Sequence, residues 1–159
     1  MKSYSINDVR KELQHVDVST LKALCLRLAK YKKENKELAT YFLFDSHNEQ
    51  GYIEEVKEEI SELFKTLPTS NTYLIKKVLR KIIRFASRQI KYSQQKQTEI
   101  EIRIFLLRKT KEARVPLAGG TVLFNLYQQQ LKKIEAAMAD LEEDLQADYK
   151  SDYDFVRRV

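Results

Sequence analysis

Cysteine occurs once in the 159 residues, at Cys25, while glycine occurs three times and proline twice. A lone thiol forms no intramolecular disulfide and no cysteine-based metal cluster. So few turn-forming residues exclude an all-β fold, whose many reversals draw on glycine and proline. His15 and His47 are the only histidines, and neither belongs to a spaced ligand set such as HExxH. No apolar run is long enough to cross a bilayer, and the opening MKSYSINDVRKEL lacks the apolar core of a secretory signal. The expected compartment is the cytoplasm, with no membrane partner.

What is present fits a folded helical chain. Hydrophobic residues make up 43% and charged residues 33%, which argues against disorder. The length suits one ordinary domain with a real core, expected over residues 1–147 with a polar, frayed tail at 148–159. The net charge of +6 is unevenly distributed. Residues 71–115 carry 13 basic and 3 acidic groups, whereas residues 1–70 and 116–159 are each slightly acidic. One third of the chain is therefore strongly positive.

Apolar spacing places the helices. Ser5 with Asp8 reads as a helix N-cap, and Asp17 as the next. Leu21, Leu24, Cys25 and Leu28 then recur at helical intervals, KKENKE at 32–37 is a polar break or the wet face of a continuing helix, and SHNEQG at 46–51 is a loop. Over 51–66, Ile53, Val56, Ile60, Leu63, Phe64 and Leu67 share one side and five glutamates the other, until Pro68 ends the helix. Residues 74–91 separate completely, with Leu74, Ile75, Val78, Leu79, Ile82, Ile83, Phe85, Ala86 and Ile90 on one half of the circumference. IEIRIFLL at 100–107 alternates like a strand, but no other segment offers it a partner. A mostly buried helix is expected there, with Glu99 and Arg103 as an i,i+4 pair. A long C-terminal helix is expected from Thr121 to Gln146, with a seam through Phe124, Tyr127, Leu131, Ile134, Met138, Leu141 and Leu145. The fold class is all-α: an irregular bundle or short stack of about seven helices.

The stretches DVRKELQHVDVSTLKALCLRLAKYKKENKELATYFLF and YLIKKVLRKIIRFASRQIKY resemble a family of small bacterial all-helical proteins of unknown function. The likeness spans about the first two-thirds of the chain. It implies an all-helical fold and brings no activity, cofactor or catalytic residue.

Catalytic chemistry finds little purchase. Cys25, inside an apolar stripe, reads as a buried inert thiol. Asp45, His47 and Glu49 alternate in a loop, but those residue types are ordinary loop-formers, so no metal site is expected. AGGT at 118–121 lacks GxxxxGK[ST] and GxGxxG, and reads as a turn followed by the N-cap Thr121. The glutamates at 54, 55, 58, 59 and 62 lie on a wet face, without the cleft that splits the pKa values of catalytic carboxylates. The expectation is a protein that is not an enzyme and holds no cofactor or metal.

Two surfaces remain. Lys76, Lys77, Arg80, Lys81, Arg84, Arg88 and Lys91 lie on one arc with Tyr73 beside them and no carboxylate among them, extended by Arg103, Arg108, Lys109, Lys111 and Arg114. Such an arc suits a nucleic-acid backbone or an acidic protein. Its ordinary reading is a solvated face partly neutralised by Glu59, Glu62 and the acidic C-terminal third. The second surface is the narrow seam Ile134, Met138, Leu141 and Leu145, which suits self-association. The leading expectation is a helical interaction or scaffold protein that binds a protein partner or itself. The alternative is sequence-independent nucleic-acid binding through 76–91.

Overall fold

A computed structural model describes residues 3–158, which are helical throughout apart from short joints, with no strand among them. The chain divides into two compact units that meet in sequence between Asp45 and Ser46.

The first unit holds α1 (Ile6–Leu13), α2 (Val18–Tyr31), α3 (Lys33–Thr40) and a π-helical turn over Tyr41–Asp45. Both expected caps are present. Ser5 and Asp8 form a capping box: the Asp8 amide donates to Ser5 Oγ at 3.3 Å and the Ser5 amide to Asp8 Oδ2 at 2.9 Å. The Ser5 hydroxyl, donating to Asp8 Oδ2 at 2.7 Å, and the Ser5 amide together hold the Asp8 carboxyl below its ordinary pKa. Asp17 accepts from the Thr20 amide at 3.2 Å. The polar break is a single extended residue, Lys32, after which the chain re-enters a helix.

The second unit holds α4 (Glu49–Lys65), α5 (Thr72–Ser93), α6 (Lys96–Glu112), α7 (Val122–Ala139) and α8 (Glu143–Arg157). SHNEQG is only partly a loop, because Asn48 caps α4 by accepting from the Gly51 amide at 3.1 Å. The strand-like IEIRIFLL is helical, as expected, and the topology explains its pattern. α6 packs against α4, α5, α7 and α8, so most of its circumference is interior, apart from the edge that carries Glu101, Phe105, Arg108, Lys109 and Glu112. Ile100, Ile102, Ile104, Leu106 and Leu107 are all buried on it. A helix enclosed over most of its circumference carries apolar residues around most of it, and they need no single stripe.

α4 and α5 behave as ordinary amphipathic helices against this hub, burying Ile53, Val56 and Ile60 from one and Ile75, Leu79, Ile82, Ala86 and Ile90 from the other. A further apolar cluster closes one end. There Ile75 and Leu79 meet Val115 and Leu123, with Phe64, Leu67 and Leu117 packed around them. AGGT is the expected turn: Gly120 has φ +78°, and Thr121 Oγ1 accepts from the Phe124 amide at 3.2 Å.

The C-terminal third departs from expectation. The long helix from Thr121 to Gln146 is two helices, because α7 stops at Ala139 and Glu142 is extended before α8 begins. α8 then packs on α6 and α7. The tail expected to fray at 148–159 is helical to Arg157 and firmly attached. Tyr153 and Val156 are buried, and Tyr127 Oη donates to the Val156 carbonyl at 2.6 Å. Lys111 Nζ donates to the carbonyls of Phe155, at 3.0 Å, and Arg158, and lies 4.8 Å from the Phe155 ring centroid. A cation on the last carbonyls of a helix stabilises that end.

Candidate interaction surfaces

On α5 the apolar half faces the core and the cationic half faces out. Lys77, Arg80, Lys81, Arg84 and Lys91 are exposed, and Lys76 and Arg88 are half-buried. At 100° per residue, Tyr73, Lys77, Arg80, Arg84 and Lys91 lie within a narrow sector at the centre of the outer face. Lys76 Nζ sits 5.5 Å from the Tyr73 ring centroid, a favourable contact between a cation and the ring face. Between α5 and α7 lies a shallow hollow of about 420 Å³, with Ile83 and Leu126 at its floor and Tyr73, Lys76, Arg80 and Arg84 at its rim.

The expected neutralisation does not reach six of the seven cations on this arc. Among the described residues, no carboxylate lies within ion-pair distance of Lys76, Lys77, Arg80, Lys81, Arg84 or Lys91. Glu62 pairs with Lys65 of its own helix at 2.6 Å. The acidic C-terminal third does neutralise cations, but those of α6. Asp152 holds Arg108 at 2.6 Å, and Asp140 holds Lys96 at 2.7 Å. The expected extension of the arc through α6 is correspondingly absent. Arg103 is buried against Glu99 and Gln130, Lys109 pairs with Glu112 at 2.9 Å, and Lys111 caps α8. Of the cations expected on this surface, Lys76, Lys77, Arg80, Lys81, Arg84 and Lys91 of α5, together with the exposed Arg114 beyond α6, are left without a carboxylate among the described residues.

A second polar cluster lies among α4, α6 and α8, around a cavity of about 430 Å³. Lys57 contacts Glu54 at 2.9 Å and Glu101 at 3.1 Å, and Tyr149 Oη reaches Glu101 at 3.4 Å. Burial draws the Lys57 ammonium down, but the bonds and charges of Glu54 and Glu101 together outweigh it and leave its pKa above the ordinary lysine value. Burial, reinforced by Glu101, pushes Tyr149 up to about 12. Both groups are thus locked in their usual protonation states, the opposite of what acid–base catalysis at neutral pH needs. Glu49 is also engaged, accepting from the hydroxyls of Ser93 and Thr98. No cluster of His, Cys, Asp or Glu among the described residues has the makings of a metal site.

The expected self-association seam has been folded inward at its start. Ile134 is fully buried, while Met138, Leu141 and Leu145 are half-buried around the α7–α8 corner. The large exposed apolar surface lies elsewhere, in the first unit, where α1, α2 and α3 contain no buried residue. Thirteen large hydrophobic residues are exposed between Tyr4 and Phe44, against four in the whole second unit. Cys25, expected to be buried, is exposed for the same reason: its stripe Leu21, Leu24 and Leu28 is exposed with it. A groove of about 640 Å³ runs here, with Tyr4, Val9, Leu13, Val16 and Leu24 as its apolar lining. Asp8, Lys11 and Glu12 border it. Periodicity marked the stripe on α2 correctly but could not show whether anything covers it.

No helix among the described residues is long and apolar enough to cross a membrane. No family model, curated protein or solved structure matches the chain. Function is therefore read from these surfaces alone.

Proposed function

We propose that this is a non-enzymatic helical interaction protein that assembles with a second copy of itself through residues 3–45. One observation carries the proposal: residues 3–45, whose helices α1, α2 and α3 hold no buried residue, present thirteen exposed large hydrophobics. α1 and α3 are eight residues long, below the roughly 12–15 at which isolated helices become marginally stable in water. Such helices persist when an apolar face is covered. The exposed side chains amount to on the order of 1,000 Å² of apolar surface, whereas each partner in a stable complex buries about 800 Å². The patch is thus large enough for a dimer and unusually large for a free surface.

The groove border favours a second copy as the occupant. Asp8, Lys11 and Glu12 place both signs within one turn of α1. A two-fold axis setting two α1 helices antiparallel brings Lys11 of each copy toward the acidic pair of the other, while the apolar linings meet. Two such segments together complete a helix-on-helix layer that one alone lacks.

Light scattering tests this. The expected mass in solution is twice that of the monomer, falling to the monomer value in Leu24→Glu plus Leu28→Glu, whose exposed positions leave the second unit unaffected. A monomer throughout the micromolar range, or a dimer unchanged by that double substitution, refutes the proposal.

A further inference from the structure

The open cationic face of α5 belongs to a different surface and implies a different ligand. We infer that it is a sequence-independent binding surface for a nucleic-acid backbone, with Lys77, Arg80, Lys81, Arg84 and Lys91 meeting phosphates and Tyr73 stacking on an unpaired base.

Geometry supports this in three ways. From Lys77 to Lys91 the helix rises about 21 Å at 1.5 Å per residue. One strand of a duplex presents a phosphate every 3.4 Å or so, roughly six over that length, against five exposed cations. The cations also recur along the whole ladder, matching a partner of repeating charge. Finally, the hollow at its N-terminal end has an apolar floor of Ile83 and Leu126 and a rim of Tyr73, Lys76, Arg80 and Arg84. It provides an aromatic face and a greasy base beside cations, the combination that holds a single-stranded nucleotide. Tyr73 is 66% exposed, so the ring face that Lys76 does not cover can receive one.

The same observations disfavour other polyanions. An interfacial helix turns its apolar face to the membrane, but the apolar face of α5 is buried in its own unit. An interface with an acidic protein has an apolar centre and a charged rim. Here the centre of the face is Arg80 and Arg84. Structural neutralisation, the simplest alternative to a ligand, is used on α6 and, among the described residues, does not reach Lys77, Arg80, Lys81, Arg84 or Lys91 of α5.

Fluorescence anisotropy with labelled duplex and single-stranded oligonucleotides of about 20 nucleotides, longer than the ladder, tests the inference on the full chain. Five phosphate contacts give a slope of log K against log salt near −4.5 for duplex, or about a 500-fold loss of affinity between roughly 50 and 200 mM salt. Arg80→Glu plus Arg84→Glu is expected to weaken both ligands at least tenfold with an unchanged circular dichroism melt. Lys77→Gln plus Lys81→Gln is expected to flatten the slope by about 2. Tyr73→Ala is expected to weaken the single strand and leave the duplex unchanged. Absence of binding at low salt overturns the inference, as does indifference to the charge reversal. Tighter binding to polyglutamate or to phosphatidylserine vesicles than to either oligonucleotide also overturns it.

Discussion

Replacing Arg103 with methionine removes the only charged side chain that is buried among the described residues, 5% exposed at the centre of the α6 hub. Its guanidinium makes three contacts: Nε and Nη2 to Glu99 Oε1, both at 2.8 Å, and Nη1 to Gln130 Oε1 at 2.5 Å. The two partners respond differently to its loss. Gln130 is 2% exposed, so its carbonyl oxygen is left without a donor and without water, at a cost of about 1–3 kcal/mol. Glu99 keeps about a fifth of its side chain in solvent and can turn outward, so its share stays near the ~0–1 kcal/mol of an exposed pair. Methionine replaces most of the arginine stem, which limits the packing loss. The expected destabilisation is about 2–4 kcal/mol, near the lower end of what breaking a fully buried pair costs. Urea unfolding followed by circular dichroism should show the midpoint falling by about 1–2 M. Adding Gln130→Leu removes the orphaned carbonyl and should recover at least half of the loss. A single substitution within about 0.5 kcal/mol of the parent, or a double mutant as unstable as the two singles added together, refutes the reasoning.

Tyr127, Tyr149 and Tyr153 all have pKa values pushed to about 12, in each case chiefly by burial. Because the folded values lie above the ordinary tyrosine value of 10.0, their contribution to stability is complete below pH 10 and is lost as pH rises through 12, so tyrosinate absorbance should show a late-titrating group that merges with the rest on unfolding. Tyr127→Phe leaves the Val156 carbonyl without its donor, and a loss of about 1–3 kcal/mol with faster proteolysis of α8 is expected. Gln94 closes α5 at φ 59°, so Gln94→Gly should stabilise by about 0.5–1 kcal/mol in the same urea assay, since relief of left-handed strain exceeds the entropy that glycine adds to the unfolded chain.

Much of the fold was legible because the deciding physics is local. Ser5, Asp17 and Thr121 cap helices by bonds to amides three residues away, which a sequence displays directly. The amphipathic patterns of α4 and α5 reach their outcome against any apolar neighbour, and Ile60, Leu79 and Ile82 are buried as the spacing requires. The pairing of Glu99 with Arg103 is also local, whereas Gln130, 27 residues further on, could not have been named as the third partner.

Sequence alone determined that this chain is helical, that α5 divides cleanly into apolar and cationic halves, and that no familiar catalytic or metal-binding motif is present. Tertiary structure decided which charges are cancelled: α8 turned back over α6, so that Asp152 and Lys111 are consumed there and Lys77, Arg80, Lys81, Arg84 and Lys91 of α5 are left open. It also decided that the stripe of α2 is exposed while α6, with no stripe at all, is the most enclosed helix. The physical reason is common to both. Helix formation depends on residues within a turn or two, but burial and charge pairing depend on which distant segment arrives alongside, and local periodicity does not contain that information.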